Sequence, residues 1–512
     1  MKRLVCIILI VTILVSGLVF VRTTHATSVG GTLNDNTHWT LMDSPVTFNQ
    51  TVIVASNATL TIDPGVTVNM GMYSLTVYGT LMAEGTSGNQ IIFSSGVSYT
   101  DFITFNTNYL TNSSLAAVSA SIIQNAVLND IALQFYSESP TLDSCTINLG
   151  ALYYSPSAIT INEGSPTISN NVISYTAQSE NQNINLISVT GGTSLITNNT
   201  LQGNYPGSAS NDIMVYSGNP TITSNTFSAV YTSSNDNGIT VNSGATPQIS
   251  NNQFNGNGYL TAIVASKIIY GYSSNGPTAF TISNNVFSRC NVGVKAESGN
   301  GLMVVGNSFL GGTDGVDVAS SATITISDNL IDSNSRYGID GSGYINSNTI
   351  TNNKIGIHNP LGFSINDNNI VGNTEYSITT STTNVDASNN WWGTTDAPTI
   401  NQTIYDGKVD PSLGNATFVP YLLAPNTSAP AIPNTTPIIT PIPTQVPPPT
   451  ITPPPATPIP TPYQYSQSFI YQIGTVINLN TIATLTAIAL ILVWVIVILG
   501  YTAKSGIKKI PK

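Results

Sequence analysis

The chain reads as an all-β solenoid of short stacked coils, followed by a Pro-rich stalk and one C-terminal transmembrane helix. Three observations predict the solenoid. A motif Ile-x-x-Asn-x-apolar recurs through the middle of the chain, with successive Asn positions roughly 19 to 33 residues apart. A second marker, Gly followed by Ile or Val, precedes many of these units. The pieces between them alternate apolar and polar residues at strand spacing, with Gly, Asn and Ser at the bends and no helical periodicity.

The motif reads Ile122/Asn125/Val127, Ile168/Asn171/Ile173, Ile196/Asn199/Leu201, Ile222/Asn225/Phe227, Ile249/Asn252/Phe254 and Ile282/Asn285/Phe287. It continues as Val304/Asn307/Phe309, Ile326/Asn329/Ile331, Ile345/Asn348/Ile350 and Ile365/Asn368/Ile370, and Leu142/Cys145/Ile147 has Cys in the Asn position. Asn390 takes the same position with Ala387 for Ile, which makes Trp392 an inward core residue. A unit this short cannot enclose a core alone, so neighbouring coils must stack. Asn tolerates the left-handed bend, and stacked amides hydrogen-bond from coil to coil. The expected structural ladder is Asn125, Asn171, Asn199, Asn225, Asn252, Asn285, Asn307, Asn329, Asn348, Asn368 and Asn390.

These repeats, from about Ile122 to Trp392, resemble the right-handed, single-stranded parallel β-helix of the pectin-lyase-like family, in its prokaryotic cell-surface form. They are also similar to the periplasmic copper-associated β-helix proteins. Upstream, the segments TLTIDPGVTV, LTVYGTLMAEGT and IIFSS resemble first rungs of such a helix.

The ends frame the solenoid. Residues 1–26 read as a secretory signal, with an uncleaved anchor as the alternative: Lys2 and Arg3, a long apolar run, then small residues at Thr24-His25-Ala26. Residues 27–118 form the N-terminal cap and first rungs, and 119–422 the β-helix with its closing segment. Proline density makes 423–466 an extended extracellular stalk. A juxtamembrane stretch, 467–481, leads to the uncharged span 482–501 and the basic tail 502–512, which the positive-inside bias puts in the cytoplasm. The expected location is therefore the cell surface, as a single-pass protein with its N-terminal part outside. Acceptor patterns for N-linked sugar occur at Asn49, Asn57, Asn112, Asn198, Asn401, Asn415, Asn426 and Asn434.

Charged residues make up 7% of the 512, against about 25% in ordinary domains. The net charge is −11, and only six Lys and Arg lie between Ala26 and Ala483. No basic patch can form from these, which excludes nucleic acid as a partner.

Candidate chemistry is sparse. Aligned on the Gly-Ile marker, Lys295, Asp317, Asp340 and His358 fall into one outward ladder, with Asp314, Asp328 and Asp332 near it. Family resemblance implies that such a face works in polysaccharide lyases and glycoside hydrolases through paired carboxylates or calcium. Asp317 and Asp340, with Lys295 and His358, are the catalytic candidates. Asp314, Asp317 and Asp340 are the metal candidates, with calcium as the only cofactor suggested. The known catalytic signatures of that family are missing, and a solvated polar face with a Lys–Asp pair competes with any site. Copper would need several His, Met or Cys donors converging, which the sequence does not offer. Cys145 and Cys290 lie about five coils apart and read as buried free thiols. Trp391 points outward beside Trp392, either covering the last coil or exposed as a stacking surface for a sugar ring.

The reading favours an anchored adhesive or structural protein binding carbohydrate or envelope polymer. Its alternatives are a polysaccharide lyase or hydrolase and a copper-handling envelope protein.

Overall fold

The computed structural model describes residues 26–95, 101–106, 121–150, 157–175, 184–203, 210–228, 236–267, 279–298, 300–320, 322–361 and 364–433. The expected signal, most of the stalk and the membrane span fall outside them; among the described residues no helix is long and apolar enough to cross a membrane.

Each coil is three short strands on three faces. Face A is a 14-stranded parallel sheet that includes Thr221–Thr223, Gln248–Ser250 and Thr281–Ser283. Face B carries Gln253–Asn255, Val286–Ser288 and Ser308–Leu310, and face C carries Thr261–Lys267, Val292–Ala296 and Asp314–Val318. Strands of each face pair in parallel from coil to coil, as expected for a β-helix. The first strands, from Thr27–Leu33 to Asp101–Asn106, are rungs of the same faces.

Repeat residues fill the core. Ile222, Ile249, Ile282 and Val304 stack on face A and are fully buried. On face B the rings of Phe227, Phe254, Phe287 and Phe309 stack in file, centroids 4.3, 5.0 and 4.6 Å apart. Each ring contributes roughly 1.5–3 kcal/mol through burial.

The Asn ladder runs unbroken from Asn171 to Asn390. Asn199 shows its unit: the backbone N–H and Nδ2 both donate to Asn225 Oδ1 in the next coil, at 2.9 and 3.0 Å, and Nδ2 also donates to Ile168 O at 2.9 Å. Buried amides are thereby satisfied at every step. The left-handed bend, however, belongs to the residue before each ladder Asn: Asn198, Ser224, Asn251 and Asn284 have φ near +57° (55° to 58°). Asn125 is corrected accordingly. It is itself the bend residue, φ 47°, and Ala126 takes the ladder position because Ile123, not Ile122, pairs with Leu142. In a strand with side-chain period two, that one-residue slip exchanges inside for outside.

A second ladder lies at the bend between faces B and C. Asn334 N and Nδ2 donate to Asn353 Oδ1 at 3.0 and 2.8 Å, and Asn353 repeats the pattern to Asn373.

Trp392 is buried at 6% exposure against Phe418, which packs on Tyr421, and the short helix Ala397–Gln402 tucks Ile400 beneath this end. Trp391 is half-buried, paired with Asn369. Residues 423–433, expected to begin the stalk, run on from Leu422 back over the outside of face B. Cys145 and Cys290 are buried free thiols, as expected.

Candidate functional site on face C

The outward ladder forms in the expected register: Lys295 pairs with Asp317, Asp317 with Asp340, and Asp340 with His358, continuing to Thr379 and Tyr405. The Gly of each marker explains the geometry. A Cβ on Gly293 would stand 2.4 Å from Phe309 Cδ1, and one on Gly356 would stand 2.8 Å from Asn373 Nδ2. Glycine and the following Val or Ile therefore both face inward, so the residues on either side of this pair face outward. The residue before Gly, and in the last coil before Ser377, builds a second outward column, Val292, Asp314, Tyr337, Ile355 and Tyr376.

The outward column of face C has a buried stretch and an open, half-exposed one. Between faces B and C the chain runs Leu149 to Ser157, Tyr175 to Asn185, Gly203 to Asn211 and Phe227 to Asn237 in the upstream coils. The outward positions Ser188, Met214, Thr240 and Val264 are at most 4% exposed, although Val264 follows the short connector Asn255 to Thr261, and Thr160, after Leu149 to Ser157, is half-exposed. Downstream the connectors shrink to Ser288–Val292, Leu310–Asp314, Asp332–Tyr337 and Thr351–Ile355, and Lys295, Asp317, Asp340 and His358 are half-exposed.

The open stretch has an internal order. Asp314, 1% exposed, accepts from Arg336 Nε at 2.9 Å and from its terminal nitrogen, and from Tyr337 N at 3.2 Å. This hydrogen bond raises the Arg336 pKa further above its already high value. Arg336 lies 4.9 Å from the Tyr337 ring centre, and Tyr337 stacks on His358 at 4.2 Å and 11°. With Asn359 Nδ2 donating to His358 Nε2 at 2.8 Å, the ring proton sits on Nδ1 and goes to Thr379 Oγ1 at 2.6 Å. Burial and the Arg336 charge hold His358 below its ordinary pKa. Asp317 is pushed upward by burial and by Asp340, and Asp340 by burial and Asp314. Lys295 pairs with Glu297 at 3.1 Å, not with Asp317.

The structure thus brings Asp314, Asp317, Asp340 and His358 together. Asp328 sits at the bend between faces A and B, and Asp332 belongs to face B, where it accepts from Asn352 at 2.9 Å. Arg336 and Tyr337 were missed by sequence reasoning; the signal was the residue before each marker glycine. Arg336 occupies both Asp314 oxygens, which removes that carboxylate from the metal candidates. Among the described residues no three His, Cys, Asp or Glu side chains converge as a metal-binding group. His38 is held by Asp63 at 2.7 Å, and burial pushes both Cys145 and Cys290 up to about 12. Among the described residues these donors do not converge into a copper centre.

Of the sugar-acceptor positions, Asn49, Asn57, Asn198 and Asn415 are exposed, and Asn401 and Asn426 half-buried; Asn112 and Asn434 lie outside the described residues.

Nothing among curated proteins or solved structures matches the chain. Residues 260–415, which contain the whole open stretch, match the family model described as periplasmic copper-binding protein (NosD), and with the long parallel sheets this similarity fits a right-handed β-helix.

Proposed function

We propose that this is an envelope or cell-surface β-helix protein that binds carbohydrate or envelope polymer along the open stretch of face C, held to the membrane by the span expected at 482–501. The observation that carries the reading is the Arg336–Tyr337–His358 stack beside Asp317 and Asp340, in the half-exposed stretch of the outward column. Aromatic faces next to hydrogen-bonding carboxylates suit the apolar and hydroxyl faces of a sugar ring. Glycan-array binding by the ectodomain tests it. Binding reduced at least ten-fold in Tyr337→Ala supports it, and no binding to any glycan or envelope preparation rejects it. Chain cleavage lost in Asp317→Asn or Asp340→Asn would assign a polysaccharide lyase or hydrolase instead, and running the assay with and without calcium covers that cofactor.

A second reading, copper handling, is favoured by the family match over 260–415. Stoichiometric copper retained through dialysis would support it over the first.

A further inference from the structure

Residues 422–433 turn back at the capped end and descend over face B, one coil for every four residues. Leu422 N donates to Asn390 O at 2.9 Å. One coil down, Asn426 and Asn369 bond reciprocally, Asn426 N to Asn369 Oδ1 at 2.8 Å and Asn369 Nδ2 to Asn426 O at 3.0 Å. Asn426 Nδ2 also donates to Asp367 O at 2.5 Å. At the next coil Thr349 Oγ1 donates to Pro430 O. The column beneath contains Trp391, Asn369 and Thr349 and continues to Leu330, Ser308 and Val286. Asn369 and Thr349 are at most 1% exposed, whereas Val286, in the same column, is 36% exposed.

We propose that this strap is a cover that opens as a unit separate from the coils, and that tension from its C-terminal side opens it. The coils are paired strand to strand and packed on a continuous core. The strap is held by a few bonds in series and buries little apolar surface: Ala429 is 7% exposed, but Leu423 is 78% exposed. Segments with few apolar contacts open first. A pull at residue 433 loads Pro430, then Asn426, then Leu422, one contact at a time, and leaves the coil ladders intact. Opening uncovers the Asn369 amide and the Thr349 hydroxyl in the column that holds the Trp391 indole. The proposal does not depend on which ligand the protein binds.

Thiol labelling of the full chain in a Cys6→Ser background tests the closed state. Cys145 and Cys290 are buried with raised pKa values and stay silent. A maleimide should label Ala429→Cys at least ten-fold more slowly than Thr427→Cys, and Asn369→Ala should remove most of that difference without moving the coil melting transition. Equal rates at 427 and 429, or labelling of 429 only together with Cys145 and Cys290, would overturn it. Pulling the Cys6→Ser chain, otherwise unsubstituted, from both ends provides a test free of strap substitutions. The first event attributable to the region before residue 434 should lengthen the chain by no more than about 40 Å, the reach of the strap's residues. A first event that already releases coils rejects the proposal.

Discussion

The backbone N–H of Cys145 donates to Asn171 Oδ1 at 2.8 Å, so this cysteine is the first step of the asparagine ladder. Its thiol donates to Asp143 O and Ile123 O, at 3.2 and 3.5 Å, the same carbonyl positions that Nδ2 reaches from Asn225. Cys290 repeats this below the second ladder, reaching Ser288 O and Phe254 O at 3.7 and 4.0 Å. Both cysteines are weak-donor substitutes for asparagine rather than reactive thiols.

Cys145→Asn should therefore stabilise the protein. The amide replaces a weak S–H donor and gives the Ala126 N–H, now bonded to sulfur, an oxygen acceptor. A gain of about 1 kcal/mol is expected, read as a higher urea midpoint at unchanged slope. A lower midpoint would show that the slot cannot take the amide.

Within the ladder the effect reverses. Asn252→Ala removes the acceptor of Asn225 N and Nδ2 and the donor to Ile222 O, all buried. Unsatisfied buried groups cost about 1–3 kcal/mol each, so a loss of about 3 kcal/mol or more is expected. Asn125→Gly, by contrast, keeps the left-handed bend and should change stability by less than about 1 kcal/mol. Denaturant melts of the two variants separate a ladder position from a bend position.

The open stretch of face C carries a pH signature. Asp317 and Asp340 bind their protons more tightly folded than unfolded, where the ordinary value is 3.8. The folded state therefore holds more protons above that value, and stability falls as pH rises through the raised folded pKa values. Asp101, pushed up to about 6 by burial, adds a fall of the same sign between 3.8 and 6. Asp317→Asn should match the parent protein near about pH 3 and exceed it near about pH 7. Urea midpoints at the two pH values check this, and equal differences at both would dismiss the repulsion between Asp317 and Asp340.

The repeat made the fold and most of its register legible, because Ile, Asn and Phe each recur in a position that burial enforces. It failed at Asn125, where two residues of the right type stand side by side, Ile122 and Ile123, and only the pairing with Leu142 chooses between them. The face C ladder was legible from the Gly-Ile marker. Its partners Arg336 and Tyr337 were not, because two successive inward residues break the period-two rule on which outward positions are counted. The strap was hidden by composition: a Pro- and Thr-rich segment reads as extended chain, and its docking rests on two amides, Asn369 and Asn426, that nothing in their local sequence pairs.

The two adjacent tryptophans divide the last coil between inside and outside, and their substitution should divide likewise. Trp392 closes the core against Phe418, with Ile365 and Ile370 in the coil before it also buried. Trp392→Ala leaves a cavity at the end of the stack and should cost about 3–5 kcal/mol. Trp391 is half-buried on face B and contributes its backbone to the sheet, N to Asn368 O and O from Ile370 N, both at 2.8 Å. Those bonds survive in Trp391→Ala, so its loss should stay near about 1 kcal/mol. Melting the two variants side by side decides the assignment: a Trp391→Ala loss as large as that of Trp392→Ala would make both rings part of the cap and leave no indole free on the outward column.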